Sequence, residues 1–363
     1  MNYTHGGNVQ VLAPEVGVSI DQLLDFSANI NPFGPPEDVK TIIKESLNEI
    51  AFYPDPNYWK LRSALANFHN LEKENIAIAN GASELIFWAS HFFSKPKALI
   101  FSPSFTEYSA AVKSCFGEVQ YERSREESDF KHSFENELPD LKTNLIFLGN
   151  PNNPTGQLYS AKTLMNWIER HVPNNGKHLV VCDESFMPFI QNDLEHSLLP
   201  YALKDSRILI LRSLTKILSI PGLRLGYCVG SKEIIEKFNS LMPTWRVNIF
   251  AQKIGEEIKN FKQFMIDSSR MLTVLKDNLT ARLQAIPFLK TFKSSSNFLL
   301  LKILNPKFRS SGLTKTLLKK GILIRSCNDF FGLEQDQYLR IAVRKENENS
   351  YLLDSLKEIF YGS

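Results

Sequence analysis

RILILRSLTKILSIPGLRLGY, Arg207–Tyr227, reads in two halves. Its first half, ILIL, is a short apolar run without alternation, the pattern of a strand buried on both faces. The run ends in Arg212 and Ser213, and Lys216 follows within one turn. The same rhythm recurs in KALIFSP (97–103), NLIFLGN (144–150) and HLVVCDE (178–184), with helical patterns between the runs. From 46 to 245 this predicts an α/β domain with a mostly parallel sheet. Ligands of such sheets bind beyond the carboxyl ends of the strands, so chemistry is expected where these runs turn polar.

Beyond Pro243 the pattern changes to a long helix-prone stretch, Phe250 to Ala285. Strand-like NFLLLKI (297–303), GILIRSC (321–327) and YLRIAVR (338–344) follow, with a final helix after Lys345. This reads as a smaller α+β domain over 246–363. Residues 1–45 carry the Gly-, Pro- and Asn-rich segments HGGN (5–8) and DFSANINPFGPP (25–36). They read as an N-terminal arm, too irregular for a core element, that joins the small domain and packs against both domains.

The 363 residues, 43% hydrophobic and 22% charged, have the composition of a globular protein large enough for a sizeable core. The net charge is +3, from 42 basic and 39 acidic side chains scattered along the chain, so no basic stripe points to nucleic acid or an anionic membrane. Cys115, Cys182, Cys228 and Cys327 lie far apart, unlike a zinc site or a disulfide framework, and suggest a reducing compartment. MNYTHGGNVQVLAPEVG shows neither an export nor an organelle signal, and no apolar run reaches bilayer length. A cytoplasmic protein is expected.

Several strand ends carry chemistry-bearing residues. GASELIFWAS (81–90) opens a helix with small residues, where a phosphate can approach free backbone N–H groups and the helix dipole; Gly and Ser are also ordinary caps. In NPNNPTG (150–156) an amide such as Asn153 can donate to a phenolate or carboxylate without adding charge, although the turn also serves as punctuation. Asp183 ends its strand either as a helix cap or as the buried partner of a protonated ring nitrogen. Lys216 is either a solvated lysine or an amine whose pKa is lowered by burial and positive neighbours so that it can condense with a carbonyl. Ser213 and Arg224 flank it and would complete a phosphate cup with Ala82 and Ser83.

Together, in this order and spacing, NPNNPTG, the strand-end Asp183 and SLTKILSIPGLRLGY resemble the fold-type I pyridoxal 5'-phosphate (PLP) enzymes of the class I/II aminotransferase superfamily, across essentially the whole chain. The resemblance implies PLP as cofactor, with Lys216 its Schiff-base lysine and Asp183 the pyridinium partner. It implies Asn153 as the phenolate-side donor, and Ala82, Ser83, Ser213 and Arg224 as the phosphate cup. In SPSFTEY (102–108), Phe105 resembles the ring that stacks on the cofactor, with Tyr108 the second candidate; both also suit core packing. Tyr53, in FYPDP (52–56), resembles a tyrosine that reaches a neighbour's cofactor phosphate, which implies a homodimer with shared active sites.

Fold alone does not choose among the bonds at an α-carbon that such enzymes break. HGGN, DFSANINPFGPP and IRSCNDFFGL (324–333) resemble the threonine-phosphate decarboxylases of the superfamily more than its aminotransferases. That implies conversion of L-threonine O-3-phosphate to (R)-1-amino-2-propanol phosphate for the cobalamin nucleotide loop, without a metal. His5, Gly6, Asn29 and Arg325 would then surround the substrate, Arg325 and His5 on its phosphate, and Arg340 with Asn153 on its carboxylate. His5 in an arm and arginines at strand edges also have structural readings. Three alternatives stand beside this one. They are decarboxylation of L-serine O-phosphate to ethanolamine phosphate, a histidinol-phosphate-type aminotransferase, and a PLP-fold regulatory module, for which an appended DNA-binding segment is expected and not seen. GASE departs from the longer GNGETES-like turn associated with the decarboxylases, and Asn328 to Phe331 is more apolar than a phosphate neighbour is expected to be.

Overall fold

The computed structural model describes residues 5–135 and 142–362. In chain order its strands are β1 (Leu24–Asp25), β2 (Ile76–Ala79), β3 (Lys97–Ser102), β4 (Glu118–Arg123), β5 (Leu145–Gly149), β6 (Leu179–Asp183) and β7 (Ile208–Ser213). They continue with β8 (Gly226–Val229), β9 (Leu289–Thr291), β10 (Phe298–Ile303), β11 (Ile322–Leu323), β12 (Arg325–Ser326) and β13 (Tyr338–Ala342).

Successive side chains of a strand point to opposite faces, so an apolar run without alternation must be covered twice. In the seven-stranded sheet, ordered β2-β8-β7-β6-β5-β3-β4, Ile146, Val180 and Ile210 enter one core while Phe147, Val181 and Leu209 enter the other. Pairing is parallel from β4 through β7, whereas β8 runs antiparallel to both β7 and β2. The expected α/β architecture is therefore present. Two of its strands lack a clear sequence signal: β4 reads EVQYER, polar because it is an edge strand, and β8 is embedded in the motif LRLGY.

The helix-prone stretch folds as Ile249–Glu256 followed by the 23-residue helix Lys262–Gln284. Beyond it β12-β13-β10-β9 form an antiparallel sheet, and Glu346–Tyr361 is the final helix. The arm is more regular than its composition suggests. Val9–Glu15 is helical, with Leu12 and Ala13 buried, and β1 pairs in parallel with β11. Glycines before it and Pro14 within it mask that helix in the sequence.

Phe26, fully buried, ties the chain after β1 to β11 and β13. Its N–H donates to Leu323 O at 2.7 Å and its carbonyl accepts from Ala342 N–H at 2.8 Å. Burying its ring contributes about 2–3 kcal/mol. Next to it the Asp25 carboxylate accepts from Ser27 N–H (2.7 Å), Ser27 Oγ (2.6 Å) and Ala28 N–H (3.2 Å), which turns the chain toward the strand ends of the large sheet.

Candidate active site

The carboxyl ends of β2, β3, β5, β6 and β7, the arm and β12–β13 together enclose a cavity of about 550 Å³. Its walls include Ala82, Ser83, Phe105, Tyr108, Asn153, Asp183, Ser213, Lys216, Arg224, Arg325 and Arg340, together with His5, Gly6 and Asn29 from the arm. Of the sequence-predicted site residues, Tyr53 alone lies elsewhere, 81% exposed and tilted against Trp245 with ring centroids 4.8 Å apart.

Lys216 sits in the short helix Leu214–Ile217 immediately after β7. It keeps some accessible surface, as a cavity-lining group must, yet the packed protein around it strips water from the amine and lowers its pKa to about 8. Asp183 opposes that shift, while Arg224 and Arg340 reinforce it. The ammonium lies 4.8 Å from the centre of the Phe186 ring. The backbone of this turn is tied down by a residue that the sequence reading passed over: Asn31 N–H donates to Lys216 O at 3.0 Å, and its Nδ2 donates to Ile217 O at 2.8 Å. The repeated asparagines of NINP were the available signal.

Asp183 is buried at the end of β6, its Oδ1 accepting from Ser185 N–H at 2.9 Å and its Oδ2 from Tyr108 Oη at 2.9 Å. Tyr108 lines the cavity as Phe105 does, but as the hydrogen-bond partner of Asp183. It is stacked on Phe147 in the core, with centroids 5.0 Å apart and planes within 4°. Burial first, and the Asp183 carboxylate second, push its phenol well above the ordinary pKa, so the hydroxyl stays a donor. Phe105 meets Tyr108 edge-on at 5.8 Å and keeps a ring against the cavity. Behind these groups Glu184 and Arg212 form a fully buried ion pair at 2.6 Å, joined by Ser197 Oγ (2.7 Å) and Leu198 N–H (2.8 Å) on Glu184. Being sequence neighbours of Asp183 and Ser213, they lock the ends of β6 and β7 to each other.

At one end of the cavity the helix Ala82–Ser90 begins at Gly81, whose φ of 86° favours glycine. A Cβ at Gly81 would collide with the Arg224 guanidinium, and one at Gly226 would come within 2.5 Å of Ala82 N. Backbone N–H groups at a helix start, Ser213 and Arg224 thus converge around a cradle shaped for an anion such as a phosphate.

Opposite lie the two arginines. Arg340 Nη1 donates to Asn153 Oδ1 at 2.6 Å and its Nη2 to Ser27 O, while its Nε has no hydrogen-bond partner among the described residues. Because the amide oxygen of Asn153 is engaged, its Nδ2 points away from Arg340 as a donor. Burial, reinforced by Arg325, lowers the Arg340 pKa to about 10, still charged at neutral pH. Arg325 pairs with Asp329, an ion pair invisible to spacing alone, and His5 Nε2 lies 3.0 Å from Glu107 Oε1.

The chain is similar to known proteins over nearly its full length. It is 35% identical over 366 residues to the threonine-phosphate decarboxylase of Salmonella typhimurium (strain LT2), covering 99% of this chain and 98% of that one. It is 34% identical over 366 residues to the adenosylcobalamin biosynthesis bifunctional protein CobDQ of Leptospira interrogans, again across 99% of the chain but spanning 41% of that longer protein. The solved structure of the histidinol-phosphate aminotransferase from Clostridium acetobutylicum superposes with a TM-score of 0.86 at 29% identity, over 94% of this chain and all of that one. The model of the family "Aminotransferase class I and II" matches residues 21–356, which contain both sheets, the lysine and both arginines, and the chain belongs to that family.

Proposed function

We infer that this protein is a PLP-dependent lyase that decarboxylates L-threonine O-3-phosphate to (R)-1-amino-2-propanol phosphate for the cobalamin nucleotide loop. The observation that carries the reading is a pair of buried arginines, Arg325 and Arg340, on the wall of the cavity that also holds the low-pKa amine of Lys216. A substrate with a carboxylate, a phosphate and an α-amino group matches that charge pattern. The full-length similarity to a decarboxylase at 35% identity supports it over the histidinol-phosphate aminotransferase relatives at 28–30%.

PLP, when bound, supplies an electron sink for the pair left behind as a bond at the α-carbon breaks. The cradle of Ala82, Ser83, Ser213 and Arg224 suits its phosphate, Lys216 its aldehyde, Asp183 its ring nitrogen, Asn153 its phenolate oxygen and Phe105 its ring face. Tyr108 acts through Asp183: its hydroxyl donates to that carboxylate and aims it. Arg340, with Asn153, grips the substrate carboxylate, while Arg325 and His5 grip the phosphate and Gly6 and Asn29 line the arm side. That grip turns the carboxylate bond out of the plane of the conjugated system, and Lys216 returns a proton to the α-carbon after carbon dioxide leaves.

The reading extends to a cytoplasmic homodimer in which Tyr53 of one copy reaches the cofactor phosphate of the other. Exposed Ile50, Phe52, Tyr53, Trp59 and Trp245 give this face an apolar character that favours burial against a second copy. No helix among the described residues is long and apolar enough to cross a membrane.

The direct test incubates PLP-loaded protein with L-threonine O-3-phosphate or L-serine O-phosphate, without any 2-oxo acid, and follows carbon dioxide. Release from threonine phosphate is expected, with serine phosphate slower by about 10- to 200-fold in kcat/KM, the worth of one methyl group. No release, with pyridoxamine phosphate accumulating on addition of histidinol phosphate, overturns the reading in favour of an aminotransferase.

The lysine also gives a pH prediction. Only a neutral amine attacks a carbonyl, and Lys216 is charged below its pKa of about 8. The rate at which apoprotein takes up PLP, followed by absorbance, should therefore climb as pH rises through about 8 and level off above it. A midpoint near the ordinary 10.5 would show that burial does not tune this amine.

A further inference from the structure

Arg325 and Arg340 are direct partners across the antiparallel pair β12–β13. Side chains so opposed share one face with Cβ atoms about 4.5–5.5 Å apart, and like charges there repel. Both arginines are buried, and both line the cavity. Two guanidinium forks this close, left to themselves, converge on a single dianion, because one phosphomonoester then neutralises both.

The fold gives each its own set of partners. Arg340 reaches to the large domain, where Asn153 accepts its hydrogen bond at 2.6 Å, and to the carbonyl of Ser27 in the arm. Arg325 is held by residues of its own turn. Its Nη2 donates to both carboxylate oxygens of Asp329, at 2.7 and 2.5 Å, its Nη1 donates to Ser326 O at 2.7 Å, and its guanidinium lies 5.3 Å from the Phe330 ring centre. Asp329 does not line the catalytic cavity; it lines an adjoining hollow that shares Arg325, His5 and Ser27 with it. The turn that carries it is itself fixed, with Asn328 Nδ2 donating to Asp336 Oδ1 at 2.7 Å and Phe331 stacked on Tyr121 of β4 at 3.9 Å.

We propose that Asp329 is a positioning residue that tethers Arg325 away from Arg340, so that the site accepts a substrate offering two anions, a carboxylate and a phosphomonoester, one to each guanidinium. Asp329 makes no contact with the substrate and acts through Arg325 alone. This inference rests on the assignment of Arg325 to the phosphate and Arg340 to the carboxylate made above. It accounts for the acidic and apolar character of Asn328–Phe331: a carboxylate pulls the fork back and two aromatic rings hold the turn in place.

The experiment compares PLP-loaded wild type with Asp329→Ala and the isosteric Asp329→Asn. Each is assayed for threonine-phosphate decarboxylation and for inhibition by ethanolamine phosphate, which has the amine and phosphate but no carboxylate. Loss of the tether is expected to raise KM for threonine phosphate by about tenfold while kcat stays within about threefold, the scale of one charge-assisted contact. Ethanolamine phosphate should inhibit the variants more tightly than wild type, because both arginines can now close on its single anionic group. The absorbance of the bound cofactor should be unchanged, and Asp329→Asn, which keeps the shape of the turn, should lie between wild type and Asp329→Ala. Unchanged KM, or inhibition that weakens in step with KM, overturns the tether, as does a loss of kcat with altered cofactor absorbance. A wild type that releases no carbon dioxide overturns the functional reading and the tether together, whereas a decarboxylating wild type with indifferent variants overturns the tether alone.

Discussion

Lys216→Ala is expected to reduce carbon dioxide release from threonine phosphate by at least about a thousandfold, because one side chain is assigned two tasks, holding the cofactor and protonating the α-carbon. The amine is well prepared for both. Burial lowers its pKa to about 8, so a substantial fraction is neutral near physiological pH, and Asn31 fixes the turn that presents it. Among the described residues no other basic group of the cavity wall can replace it: these are His5, which faces Glu107, and arginines, which do not give up protons. The fold should survive, since a cavity-facing lysine contributes little to packing and its removal relieves a desolvated charge. Borohydride reduction followed by intact-protein mass measurement should leave the cofactor on wild type and not on the variant. A variant that keeps more than about a tenth of the wild-type rate would remove Lys216 from the centre of the mechanism.

How much of this was readable beforehand depended on which interactions are local in sequence. β3, β5, β6 and β7 were legible because a strand covered on both faces is apolar at every position, and the polar residues ending them had to face the site. Lys216 and Asp183 could be placed at the cavity for the same reason: one follows such a run and the other ends one. β4 escaped because an edge strand needs no continuous apolar pattern, and the arm helix because Pro14 and its glycine neighbours argue for a loop. The remaining gaps are contacts between distant segments. Tyr108 and Phe105 are three residues apart, both aromatic and both on the cavity wall; only the registry of Tyr108 over Phe147 decides which one serves Asp183. Glu184 and Arg212 pair because β6 and β7 are neighbours, and Arg325 opposes Arg340 because of the β12–β13 register. None of these follows from local pattern.

Arg340 carries the remaining large effect, and its variants separate the two chemistries that this family scaffold supports. If it grips the substrate carboxylate, Arg340→Ala should lower kcat/KM for threonine phosphate by about 10²- to 10³-fold, the worth of a two-pronged charge-assisted contact plus lost orientation. Arg340→Lys should recover little, because a point charge cannot hold Asn153, the Ser27 carbonyl and an anion together as the planar fork does. The discriminating measurement is inhibition by ethanolamine phosphate. With no carboxylate to offer, it should bind Arg340→Ala within about threefold of wild type, since its phosphate lies on Arg325 and no charge-assisted contact worth a tenfold change is lost. Parallel weakening of inhibitor and substrate would mean that both arginines hold the phosphate. The carboxylate would then have no dedicated partner, and a substrate such as histidinol phosphate, which has none, would become the better match to the site.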